Sequence, residues 1–206
     1  MTPLKLALSS SINIAILLPQ LIELSGNFAG MELKLFRGAA AELADHLKRG
    51  GADLGVAGPL TGEWECFDRW SLFTETFVLA VSENHRYANR ERVTIQELSG
   101  ESIIRRPHCE RLEDVEALLS AHGLVDLQRH EAMSDVDVAG LLSANVGVAF
   151  VPASTDLPGG VRRLCIDDAN LEREVCVYSV AGRPRSPIAS MLLKTLRASD
   201  WSAYRA

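Results

Sequence analysis

Three consecutive hydroxyls, Ser9, Ser10 and Ser11, stand where an alternating segment gives way to one with helical spacing. Leu4, Leu6 and Leu8 alternate with Lys5 and Ala7 as in a strand, and Ile14, Leu17, Leu18, Leu21 and Ile22 recur as on one face of a helix. A strand, a polar turn and a helix together aim backbone N–H groups and hydroxyls at one point, which suits a small anion such as a carboxylate. The same serines would equally serve as a plain helix cap. Gly58 and Pro59 close a second apolar strand, either lining a site or simply turning the chain. Arg105 ends a short strand and is placed to clamp a carboxylate through paired hydrogen bonds, the plain alternative being a solvated side chain. Ser134 opens a helix whose N-terminus would face the same ligand. Cys109 lies among Arg105, Arg106, His108 and Arg111, cations that lower a thiol's pKa.

Other chemistries find less support. Ser10 or Cys109 as a nucleophile would need a neighbouring His–acid pair, and His46, His85, His108, His122 and His130 are scattered. Cys66, Cys109, Cys165 and Cys176 form no CxxC pair and show no metal-ligand spacing, so neither a metal nor a cofactor is expected. Cys165 and Cys176 read as small apolar strand residues in a reducing compartment. The net charge of −6 over 206 residues argues against this chain holding nucleic-acid phosphates by itself. No apolar run reaches the roughly 18 residues of a membrane span, and the N-terminus lacks the pattern of a secretion signal. A cytoplasmic location is the expectation.

The elements that would position these groups follow from periodicity. Strands are expected at Met31–Phe36, Asp53–Ala57, Phe77–Val81, Ser102–Arg105, Arg129–Met133, Gly147–Val151 and Glu174–Val180. Helices are expected at Ala39–Lys48, Leu112–His122, from Ser134-Asp135 to Ala144, and at Ile188–Leu196, with Pro19 deep in the first helix imposing an irregular turn. The first third therefore reads β-α-β-α-β, the pattern of a parallel sheet with right-handed crossovers. A second βαβα unit follows, and the last strand and helix return to the first. This gives an α/β chain of two lobes, 1–79 with 178–206 and 80–177, around a ligand-binding cleft.

Laid out in this order, the segments resemble the effector-binding domain of LysR-type transcriptional regulators. The likeness is carried by the strand, hydroxyl loop and "LLP" helix at Leu4–Pro19, and by "LFRGAAAELADHLKRGGADLGVAG" at Leu35–Gly58. It continues in "ETFVLAVSENHRYA" at Glu75–Ala88, "VTIQELSGESII" at Val93–Ile104 and "ANVGVAFVPAS" at Ala144–Ser154. The resemblance implies two Rossmann-like lobes around a central cleft, a type II periplasmic-binding-protein-like fold. It further implies a small, anionic effector bound at Ser10 and Ser11, a homodimer built on the first helix and the Met31–Phe36 strand, and a tetramer in a full-length protein. DNA would be contacted only through an N-terminal winged helix-turn-helix absent here, so the chain reads as a truncated piece or a stand-alone sensor. Ala39 stands where many relatives carry a Ser or Thr, and Asn145 where a Gly is usual. His108-Cys109 falls near the reactive cysteine of peroxide-sensing members, but no second cysteine follows within Leu112–His122. The alternatives are a transport-associated solute-binding protein, a thiol redox sensor using Cys109, and an enzyme, which is not expected.

Overall fold

The computed structural model describes residues 3–60 and 66–204. The strands are β1 (Leu4–Ser9), β2 (Leu33–Gly38), β3 (Leu54–Ala57), β4 (Phe67–Ser82), β5 (Arg92–Val93), β6 (Ile103–Arg105), β7 (Arg129–Glu131), β8 (Ala149–Pro152), β9 (Val161–Ile166) and β10 (Glu172–Val180). The helices are α1 (Leu18–Asn27), α2 (Ala40–Lys48), α3 (Leu112–Ala121), α4 (Asp135–Ser143) and α5 (Pro187–Ala198). The chain divides into two compact units, one running to Thr74 and resuming at Glu174, the other Glu75–Arg173.

In the first unit β1 lies between β2 and β3, parallel to both, with Leu8 opposite Arg37 on one side and Val56 on the other. The far edge of β3 takes β10 antiparallel, Val177 opposite Val56. Alternation along β1 sorts its side chains: Leu4, Leu6 and Leu8 join α1 and α5 in one core, while Ala7 meets α2 on the opposite face. Close approach of α2 is why Gly55 stands in β3; a Cβ there would come within 2.8 Å of Leu47.

The first helix departs from expectation. Ile14–Leu17 form a 3-10 turn, and α1 begins only at Leu18 with Pro19 in its first turn, where its missing N–H costs nothing. Pro19 is therefore not deep in a helix. The change of pitch also shifts the buried face: Leu17, Leu21 and Leu24 are buried, whereas Leu18 and Ile22 point outward, 43% and 68% exposed.

In the second unit the later half of β4 pairs antiparallel with β8, Phe77 opposite Pro152, and with β9, Ser82 opposite Val161. The short β5 adds to β9, and β6 and β7 form a parallel pair. One core gathers Phe77, Leu79, Ile103, Leu119, Phe150 and Leu164; a second gathers Val78, Ile104, Val138, Leu142 and Val151. After α4 the chain turns through Asn145 at φ 55°, so asparagine supplies the left-handed residue a glycine would. At Gly147 a Cβ would meet the Ser102 carbonyl at 2.5 Å, so no side chain fits. Cys176 is buried as expected, but Cys165 is exposed on β9, because that strand buries only Val161 and Leu164. No helix among the described residues is long and apolar enough to cross a membrane.

Candidate functional site

Three parallel strands of the first unit end side by side. Ser9 closes β1, Gly38 closes β2, and Gly58 follows β3. Carboxyl ends of parallel strands are where open α/β sheets bind ligands. Ser9 and Ser11 are buried with their hydroxyls 3.2 Å apart, and Ser10 is partly exposed. The Ser10 amide donates to the Gly38 carbonyl at 2.8 Å, tying the loop to β2. Asn13, not a serine, caps the following turn, its side chain accepting from the Ala15 amide at 2.9 Å. The cap of that turn is Asn13 and none of the three serines, against the plain reading of them. Gly58 accepts from the buried Tyr178 hydroxyl at 3.1 Å, and Pro59 is partly exposed beside it. Desolvation, then the neighbouring Cys176, push the Tyr178 hydroxyl well above its usual range, so it stays protonated and donates.

Arg37 completes this loop. Its guanidinium donates to the Ile12 carbonyl at 2.7 Å and to the Ser9 carbonyl at 3.3 Å, placing a positive charge at the strand ends. Nothing in the exposed-looking run Lys34–Arg37 marks it; the parallel register that puts Arg37 beside Leu8 does. Ala39 carries no side-chain cap for α2, and Glu42 accepts from its amide at 2.8 Å instead.

The groups of the second unit are more heavily engaged. Arg105 donates to Glu116 at 2.6 Å and to Glu131 at 2.7 Å, so its fork is already occupied by two carboxylates. Ser134 caps α4, accepting from the Asp137 amide at 3.2 Å and donating to the Asp137 carboxylate at 2.6 Å. Arg106 is buried and grips Asp135 Oδ1 at 2.7 and 2.9 Å, and the same oxygen lies 2.7 Å from His108 Nε2. A His–acid pair thus does stand next to Cys109 in sequence, formed across 27 residues where spacing gave no hint. Burial first, then Glu110, raises the Cys109 thiol, outweighing Arg106 and Arg173, so the expected lowering by nearby cations does not occur. Cys109 lines a small apolar cavity of about 20 Å³ with Phe77, Leu112, Val115 and Phe150.

Three parallel strand ends that bring two buried hydroxyls and a guanidinium together form an arrangement suited to a small anion. The family model for the LysR substrate binding domain matches residues 2–201, and the chain belongs to that family. A hydrogen peroxide-inducible genes activator from Haemophilus influenzae is 27% identical over 150 residues, covering 71% of this chain and 49% of the relative. The chain therefore spans about half the length of that curated relative. Among solved structures, the effector binding domain of QuiR in complex with shikimate superposes with a TM-score of 0.79 at 16% identity, covering 95% of both chains. The regulatory domain of CcmR from Synechocystis PCC6803 in complex with 2-PG gives 0.78 at 18% identity over 99% of both. These likenesses show the same fold.

Proposed function

We propose that this chain is the ligand-sensing domain of a LysR-type regulator and takes a small anionic effector at the Ser9–Ser11 loop. The observation that carries this reading is the pairing of two buried hydroxyls with the Arg37 guanidinium at neighbouring strand ends. The QuiR domain in complex with shikimate and the CcmR domain in complex with 2-PG support it. The reading is non-enzymatic and cytoplasmic, with DNA contacted by a separate segment; the net charge of −6 supports that last point. Family membership favours this over a transport-associated solute-binding role. Gly58 and Pro59 join the serines at the site, with Arg105 and Ser134 ranked below them because their polar atoms already have partners.

Calorimetric titration with a library of anionic metabolites tests the reading. A hydrogen bond to a charged group is worth roughly 1.5–3 kcal/mol, so Ser10→Ala or Ser11→Ala should weaken binding about tenfold or more. Arg105→Ala should change affinity less. A tight ligand indifferent to both serine substitutions would remove the site from this loop.

We also propose a homodimer through α1 and β2, and a tetramer in a longer protein. Leu18 and Ile22 on α1 and Leu33 and Leu35 on β2 supply the exposed apolar surface, while Ile12, Ile16 and Leu24 are buried. Light scattering at tens of micromolar should give a dimer, and Ile22→Glu with Leu35→Glu should give a folded monomer. A wild-type monomer would refute the interface.

Similarity to a hydrogen peroxide-inducible genes activator raises peroxide sensing through Cys109 as a second reading. The buried, raised thiol weighs against it. Mild peroxide should leave no stoichiometric intramolecular disulfide from Cys109 to Cys66, Cys165 or Cys176 in intact-mass and peptide mass spectrometry. Such a bond would establish the redox reading.

A further inference from the structure

The geometry points to a second anion site on the first unit, an open basic depression on α5 that takes the dianionic head of a phosphate monoester. Arg185, Lys194 and Arg197 line it with Ser190 and Leu193, enclosing about 460 Å³ open to solvent. In a chain of net charge −6 this gathers three cations in one place. Two of them are held by the same aromatic ring: the guanidinium carbons of Arg185 and Arg197 lie 5.1 and 5.6 Å from the centroid of Trp70. Stacking on an indole face restrains a guanidinium without using its hydrogen-bond donors, so Arg197 is positioned yet free to bind.

The charge balance selects the ligand class. Arg185 donates to Asp68 at 2.9 Å and to the Ser179 hydroxyl at 3.2 Å, so one of the three positive charges is matched. Among the described residues, neither Lys194 nor Arg197 has an acidic partner. Two positive charges remain, which fits a phosphate monoester better than a single carboxylate. Lys194 and Arg197 are three residues apart, so both reach the same side of the helix, and the exposed Ser190 hydroxyl lies one turn earlier. The helix C-terminus opposes an anion near Arg197, and the open mouth leaves the interaction screened by salt, so the site holds its ligand weakly and reversibly. Because the depression is open, only the anionic head is gripped.

The site is independent of the effector loop, and its test separates the two. Amide and indole NMR resonances of the 206-residue chain would be followed during titration with phenyl phosphate, inorganic phosphate, acetate and a 20-base-pair duplex. Shifts should centre on the Trp70 indole and on residues 190–198, with phosphate at least ~tenfold tighter than acetate. Lys194→Gln with Arg197→Gln should weaken phosphate binding at least ~tenfold and make it insensitive to salt. The exposed Lys194→Gln alone should give part of that loss without touching the ring contact. Arg162→Gln and Ser11→Ala should leave it unchanged. Equal affinity for acetate, shifts centred elsewhere, an unaffected double variant, or duplex DNA occupying these residues in place of phosphate would each overturn the proposal.

Discussion

Arg173→Met should destabilise the second unit by about 3–5 kcal/mol, the cost of breaking a buried ion pair by removing one partner. The Arg173 side chain is fully buried, and its Nε donates to Glu75 Oε1 at 2.8 Å while Nη1 donates to Glu110 at 3.0 Å. Glu75, equally buried, is held further by the amide and hydroxyl of Ser154 at 2.8 and 3.0 Å. Burial works against the charge on Arg173, but Glu110 and Glu75 outweigh it and keep the guanidinium protonated. Methionine fills much of the volume and supplies none of the charge, leaving the Glu75 carboxylate stranded. Urea unfolding monitored by circular dichroism measures the loss. Glu75→Gln combined with Arg173→Met should recover part of the loss, since the fully buried Glu75 charge is then removed along with its partner. An unchanged midpoint in Arg173→Met would mean that the network contributes nothing.

That network also marks where sequence stops being informative. The first β-α-β-α-β stretch was legible because its strands alternate or run fully apolar and its helices have period 3.6, both local patterns. The boundary of α1 was not, since a 3-10 turn has nearly the same apolar spacing as the helix that follows, yet rotates Leu18 and Ile22 out of the core. The first half of β4 was missed because Asp68, Arg69, Trp70 and Ser71 do not alternate, and β9 because adjacent Arg162 and Arg163 interrupt its pattern. Serine hydroxyls at a strand end could be seen in one dimension. Arg37 beside them could not, because only the parallel register brings β2 against β1. Charged residues that look solvated in sequence are the hardest case. Glu75 and Arg173 meet across 98 positions, and no local rule separates such a pair from surface charge.

The same reasoning makes Asp135 the pivot of the second unit's other buried charge. Its Oδ1 takes two bonds from Arg106, which is 3% exposed, and one contact from His108, while Arg106 Nη1 reaches the Phe150 carbonyl at 3.3 Å. Asp135 is the first residue of α4, so the helix N-terminus adds to the stabilisation of its negative charge. Burial alone would raise the carboxyl, but the His108 hydrogen bond and the Arg106 charge outweigh it and hold Asp135 below its usual value. For a carboxyl with a depressed folded pKa, the unfolded state binds more protons. The stability it contributes is present above the ordinary carboxylate value and is lost as pH falls toward the lowered one. Asp135→Asn keeps the shape and one acceptor but removes the charge, leaving the Arg106 guanidinium buried against neutral oxygens; the loss should be about 3 kcal/mol at neutral pH. The variant should also lose part of the wild type's acid sensitivity, because a group that titrates between the two states is gone. Thermal and urea unfolding of both proteins from neutral pH to about pH 3 would show the curves converging at the acid end. Parallel curves across that range would mean that Asp135 is not coupled to Arg106 and His108 in solution, and a variant as stable as wild type would mean that the charge on Arg106 is compensated without it.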